Sequence, residues 1–117
     1  MSLARTFTVT VVGTASGNKY VLDGVQQATA NLGVSGTYRF DQSDSSNSNH
    51  PLRFSITSDG GHGGGSEYTT GVTTNGTPGS SGAYTEIAVT ASTPVTLYYY
   101  CTNHSGMGGE VSISGNA

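Results

Sequence analysis

The sequence predicts an all-β domain, and two patterns carry that prediction. Apolar residues recur with a period of two over short segments, as side chains on alternate faces of a strand require. Turn-forming residues punctuate these segments at about eight- to twelve-residue intervals, the spacing of a sandwich or barrel. No sustained 3.6-residue period and no long run of Ala, Leu, Glu and Lys is present, which excludes an ordinary helical protein.

The elements follow in order. Thr6–Val12 places Phe7, Val9 and Val11 on one face and threonines on the other. Tyr20–Leu22 runs into Asp23-Gly24, a tight-turn signal. Ala28–Leu32 and Thr37–Asp41 come next, with Tyr38 and Phe40 sharing a face of the second. Leu52–Thr57 aligns Leu52, Phe54 and Ile56. Ala83–Thr90 carries Ile87 and Val89 in phase. Val95–Cys101 is the strongest segment, with Val95, Leu97, Tyr99 and Cys101 in phase and with Tyr98 and Tyr100 opposite Tyr99. Glu110–Ser114 closes the series through Val111 and Ile113. Asp41–Asn49 reads as a polar loop. Ser58–Ser81 reads as a long loop rich in Gly, Ser and Thr, with Gly71–Thr74 as a short strand inside it.

The composition fits this reading. The 117 residues suit one domain, 1–117, with no internal repeat or boundary. Hydrophobic residues make up 33%, charged residues 9%, and there are 18 Gly. Disordered chains with so little apolar content usually carry high charge; here charge is scarce. The net charge of −3 without a basic patch argues against nucleic acid as a partner. No apolar run approaches the roughly 20 residues of a membrane helix. Met1–Arg5 shows no charged segment leading into the apolar core of a signal peptide. One cysteine, Cys101, cannot form an intrachain disulfide.

Chemistry concentrates in Tyr98–Gly109. A strand delivers the Cys101 thiol at its end, and a Gly-containing loop then supplies the His104 imidazole and the Met107 thioether at three-residue steps. Thiolate, imidazole and thioether together suit copper, and two histidines, one cysteine and a weak axial methionine form the electron-transfer copper set. His50, just before the Leu52 strand and in phase with Leu52, Phe54 and Ile56, is the candidate for the second histidine. Cys101 is in phase with Leu97 and Tyr99, so both ligands leave the core-facing side of their strands. His62, among glycines, reads as solvated. Asp41, Asp44 and Asp59 match no calcium loop and read as turn formers. No phosphate loop, dinucleotide fingerprint or H-E-x-x-H appears, and a Cys101–His104 nucleophile pair lacks a third orienting group. The expectation is therefore a binding protein and not an enzyme.

His50, Cys101, His104 and Met107, in that order, resemble the cupredoxins, the family of plastocyanin- and pseudoazurin-like proteins. These carry one histidine on an early strand, then Cys, His and Met on the loop before the final strand. The separation of about fifty residues between His50 and Cys101 is similar to the family's. Met107 follows His104 more closely than in plastocyanin-like members, a spacing similar to the end of the binuclear copper loop of oxidase subunit II, whose second cysteine is absent here. The resemblance implies an antiparallel Greek-key β-sandwich, one copper ion (zinc being the other candidate) and one-electron exchange with a redox partner protein. Asn47-x-x-His50-Pro51-Leu52-Arg53-Phe54 and Cys101-x-x-His104-Ser105-Gly106-Met107-Gly108 are also similar to Gly/Ser/Thr-rich modules of marine bacterial and phage surface or virion proteins. That likeness implies a structural or adhesive role and an extracytoplasmic or virion-associated location. Edge strands in so polar and Gly-rich a sheet are open to pairing with other chains, in a homo-oligomer or a larger assembly.

Overall fold

A computed structural model describes residues 3–115. Eleven strands form among them: β1 (Arg5–Thr14), β2 (Gly17–Leu22), β3 (Val25–Gln26), β4 (Ala30–Gly33), β5 (Thr37–Asp41), β6 (Leu52–Ser55), β7 (Glu67–Tyr68), β8 (Val72–Asn75), β9 (Tyr84–Ala88), β10 (Thr96–Cys101) and β11 (Gly109–Ser114). They make two sheets, ordered β3-β2-β1-β5-β9-β8 and β4-β11-β10-β6-β7. The sheets pack face to face as a β-sandwich.

The sheets are mixed, which corrects the antiparallel expectation: β1 pairs parallel with β5, and β4 with β11. Alternation reports which face a side chain occupies but not the direction of its strand. The chain leaves the first sheet after β3, runs through β4 in the second, and returns as β5. Each turn reverses direction, so β5 arrives beside β1 pointing the same way.

The core is the in-phase set. Phe7, Val9, Tyr20, Leu22, Phe40 and Ile87 face Leu32, Leu52, Phe54, Leu97, Tyr99, Val111 and Ile113. The parallel register places Phe7 opposite Phe40, and their rings stack at 4.8 Å. Phe40 then meets Phe54 of the other sheet edge-on at 5.3 Å. Burying a side chain of this size contributes about 1.5–3 kcal/mol, so these aromatics supply much of the cohesion of a small core.

Three sequence expectations fail at strand ends. Ile56 is 63% exposed, because β6 stops at Ser55, whose hydroxyl accepts from the Thr57 amide and donates to the Ser66 carbonyl, turning the chain outward. Val95 is 72% exposed, since it precedes β10 and joins the sheet only through its carbonyl, which accepts from the Ile113 amide. Tyr100 is buried although it lies on the face opposite Tyr99, because the segment around Gly60 covers it.

The two expected loops are largely structured. Residues 42–49 contain a 3-10 turn, Ser45–Asn47, capped by the Asp44 carboxylate, which accepts from the Ser46 amide. Residues 58–81 contain a second 3-10 turn, Gly60–Gly63, together with β7 and β8. The strand expected over Gly71–Thr74 is β8, displaced by one residue.

Candidate metal centre

Three elements converge at one end of the sandwich. β6 and β10 are antiparallel neighbours with Leu52 opposite Cys101, which brings the residues before β6 beside the end of β10. The β10–β11 connection carries His104 and Met107 over the same end. Cys101 is wholly buried, His50 is buried, and His104 is exposed. The Nδ1 atoms of His50 and His104 both face the Cys101 sulfur, at 3.8 and 3.7 Å. All three donor atoms lie within 4.8 Å of one another. Met107 is wholly buried in the cluster that includes Cys101, and with His104 it lines a shallow depression with Gly17, Asn18, Asn103 and Ser105.

The spacing fits a metal. With metal–sulfur near 2.3 Å and metal–nitrogen near 2.0 Å, trigonal or tetrahedral angles place sulfur and nitrogen about 3.5–3.8 Å apart. The two observed sulfur–nitrogen edges fall at that separation. Burial, and then the neighbouring His104, push the His50 pKa below the usual imidazole value. The neutral ring therefore prevails at neutral pH, with a lone pair for a cation.

His50 is held by a network that sequence reasoning missed. Its carbonyl accepts from the Tyr20 hydroxyl at 2.6 Å and from Gln42 Nε2 at 2.7 Å, and its amide donates to the Asn47 carbonyl at 2.8 Å. Gln42 Nε2 also donates to Asn47 Oδ1, while Gln42 Oε1 accepts from the Leu52 amide. Asn47 Nδ2 donates to the Val9 carbonyl of the first sheet. Gln42 and Asn47 are both buried. Burial, followed by the nearby Cys101, raises the Tyr20 pKa, so its hydroxyl stays protonated and donating.

The ligand loop is held as firmly. Gly106 has a φ of +77°, and both of its main-chain polar groups are engaged. Its amide donates to Asp59 Oδ1 at 2.9 Å, while its carbonyl accepts from Lys19 Nζ at 2.8 Å and from Gln27 Nε2 at 3.2 Å. Gln27 Nε2 also donates to the Gly108 carbonyl, the Tyr20 amide to the Met107 carbonyl, and Asn103 Nδ2 to the Asn49 carbonyl. Asp59, expected as a turn former, thus reaches across to the loop. Asp41 and Asp44 act as expected, each bonding a residue two positions on.

His62 departs from its solvated reading. Its ring is exposed, yet Nε2 lies 2.8 Å from the Cys101 carbonyl. The signal available in the sequence was the glycine run around it, which marks close backbone packing as readily as mobility.

No protein-family model matches the chain, and no curated protein is significantly similar to it. His50, Cys101 and His104 bring their donor atoms together as a group that could hold a metal ion, and Met107 is buried close by.

Proposed function

We propose that this chain binds one copper ion through the Cys101 thiolate and the Nδ1 atoms of His50 and His104, with the buried Met107 thioether as a weak further donor or none. The observation that carries the reading is the pair of sulfur–nitrogen separations, 3.8 and 3.7 Å, around one buried thiol. A soft thiolate and thioether beside two imidazoles favour copper, with zinc the competing ion. Bound there, the metal supplies a one-electron couple. The protein's own part is to hold the ligands still: Tyr20 and Gln42 fix the His50 backbone, and Lys19, Gln27 and Asp59 fix the loop. A ligand set that keeps its place in both oxidation states costs little reorganisation. The exposed His104 edge offers a one-electron carrier its approach. On this reading the chain is an electron carrier and not an enzyme.

The test is optical. Copper(II) added to the metal-free protein should give an intense thiolate-to-copper band, and Cys101→Ser should abolish it. Weak binding without that band sinks the electron-transfer reading.

A second reading is a structural or adhesive module of a virion or cell surface, extracytoplasmic in location, with the metal structural or dispensable. The sheet edges at β3, β8, β4 and β7, in a chain poor in charge, favour it as places for pairing with further copies. It requires Cys101→Ala to fold and assemble without metal. Failure of that variant to assemble counts against it.

A further inference from the structure

All three histidines of the chain converge on its single cysteine. Two face the sulfur. The third, His62, meets the same residue from the main-chain side, with Nε2 at 2.8 Å from the Cys101 carbonyl oxygen. A carbonyl oxygen can only accept, so Nε2 carries the proton and donates it, and Nδ1 is left with the lone pair.

The surrounding turn is shaped to allow this contact. Gly60, with φ of +53°, lies flat on the Tyr100 ring, where an added Cβ would come within 2.5 Å of the ring carbons. A Cβ at Gly63 would strike the Ser58 carbonyl oxygen, and one at Gly65 the Thr57 side chain. The glycine run is therefore a close-packed turn. It seats the His62 ring edge-on to Tyr100, with centroids 6.4 Å apart, and against the Cys101 peptide. The imidazole itself remains exposed.

We infer that His62 is a second surface terminus for the electron exchanged at Cys101, joined to the sulfur through the cysteine's own covalent frame and the Nε2–H···O=C hydrogen bond. The inference rests on the copper reading. One electron passes between the Cys101–metal unit and a one-electron carrier approaching the exposed imidazole. The carrier loses the electron that the unit gains, no covalent bond forms or breaks, and the Nε2 proton stays in place. The chain would then have two exits of different kind: His104, which would hold the metal directly, and His62, which would reach it through the Cys101 backbone.

The test uses the full chain with isotope-labelled histidine and an isotope-labelled Cys101 carbonyl. In the metal-free protein, the Cys101 carbonyl resonance should shift in His62→Leu, which cannot donate, and shift less in His62→Gln, which can. With copper(II) bound, pulsed electron paramagnetic resonance should find two strongly coupled histidine nitrogens and, beyond the weak signals of the remote nitrogens of those same two rings, a further weakly coupled one. That further coupling should vanish in His62→Leu while the thiolate band is unchanged. Reduction by hexaammineruthenium(II) should slow several-fold in His62→Leu and recover in part in His62→Gln. A normal thiolate band with only two coupled histidines, or a wild-type reduction rate in His62→Leu, overturns the His62 route and leaves the copper reading standing. Absence of the thiolate band in wild type overturns both.

Discussion

Gln42 bonds to both sides of the chain bend that carries His50: its amide nitrogen donates to the His50 carbonyl at 2.7 Å, and its amide oxygen accepts from Leu52 at 2.9 Å. One buried side chain thus sets the spacing between a candidate ligand and the strand that follows it. Gln42→Leu keeps the volume and removes both of these bonds and the one to Asn47 Oδ1, leaving the Leu52 amide buried without its acceptor. The expected loss is about 2–3 kcal/mol of folding free energy, read from urea denaturation. Copper affinity should fall by roughly 10- to 100-fold, as for other residues that orient a ligand, read from competition with a chelator.

Gly60→Ala should be among the damaging glycine changes in the 60–65 run, with Gly63→Ala, whose Cβ would meet the Ser58 carbonyl oxygen. Gly60→Ala forces a side chain into a left-handed backbone conformation and against the Tyr100 ring. A cost of about 2–4 kcal/mol is expected. Gly61→Ala, where a Cβ meets nothing, should cost little. Thermal denaturation of the Gly60 and Gly61 variants side by side checks the contrast.

Asp59→Ala releases the Gly106 amide. The bond is exposed, so global stability should change by less than about 1 kcal/mol. The local effect should be larger: hydrogen exchange at Gly106 should quicken several-fold in the metal-free protein, while core amides such as Leu97 keep their rates. Lys19→Met, which removes the shorter of the two hydrogen bonds to the carbonyl of the same residue, should loosen the loop in the same sense.

The metal-free protein should lose stability in mild acid through His50. Its folded pKa is depressed by burial and by His104, so the unfolded chain binds the proton more readily. The His50 contribution is therefore complete above the ordinary imidazole value near 6.5 and is lost as pH falls through that value towards the folded pKa. Melting temperature measured from pH 8 down to pH 5 should fall in the lower half of that range, and the fall should be smaller in His50→Gln.

Much of the candidate site was legible because strand alternation and ligand chemistry coincide. Cys101 shares parity with Leu97 and Tyr99, and all three are buried. His50 shares parity with Leu52 and Phe54, and it is buried too. The positioning network was not legible. Gln42 and Asn47 sit in a segment of Ser, Asp and Asn, where a buried amide and a solvated one look alike; their burial depends on strand β1 arriving from elsewhere to accept from Asn47 at the Val9 carbonyl. His62 was hidden for the same reason, since its partner is a main-chain oxygen of β10, and a backbone acceptor leaves no mark on composition. The parallel β1–β5 and β4–β11 pairs escaped because a face pattern is blind to chain direction.

The complete burial of Cys101 has a consequence for how the chain behaves in air. Its sulfur lies behind two imidazoles under a loop tied down at Gly106, so two folded copies cannot join through a disulfide without first opening that end of the sandwich. The thiol is in effect a clock for that opening: the rate at which a small alkylating reagent consumes it in the metal-free protein measures how often the loop lifts.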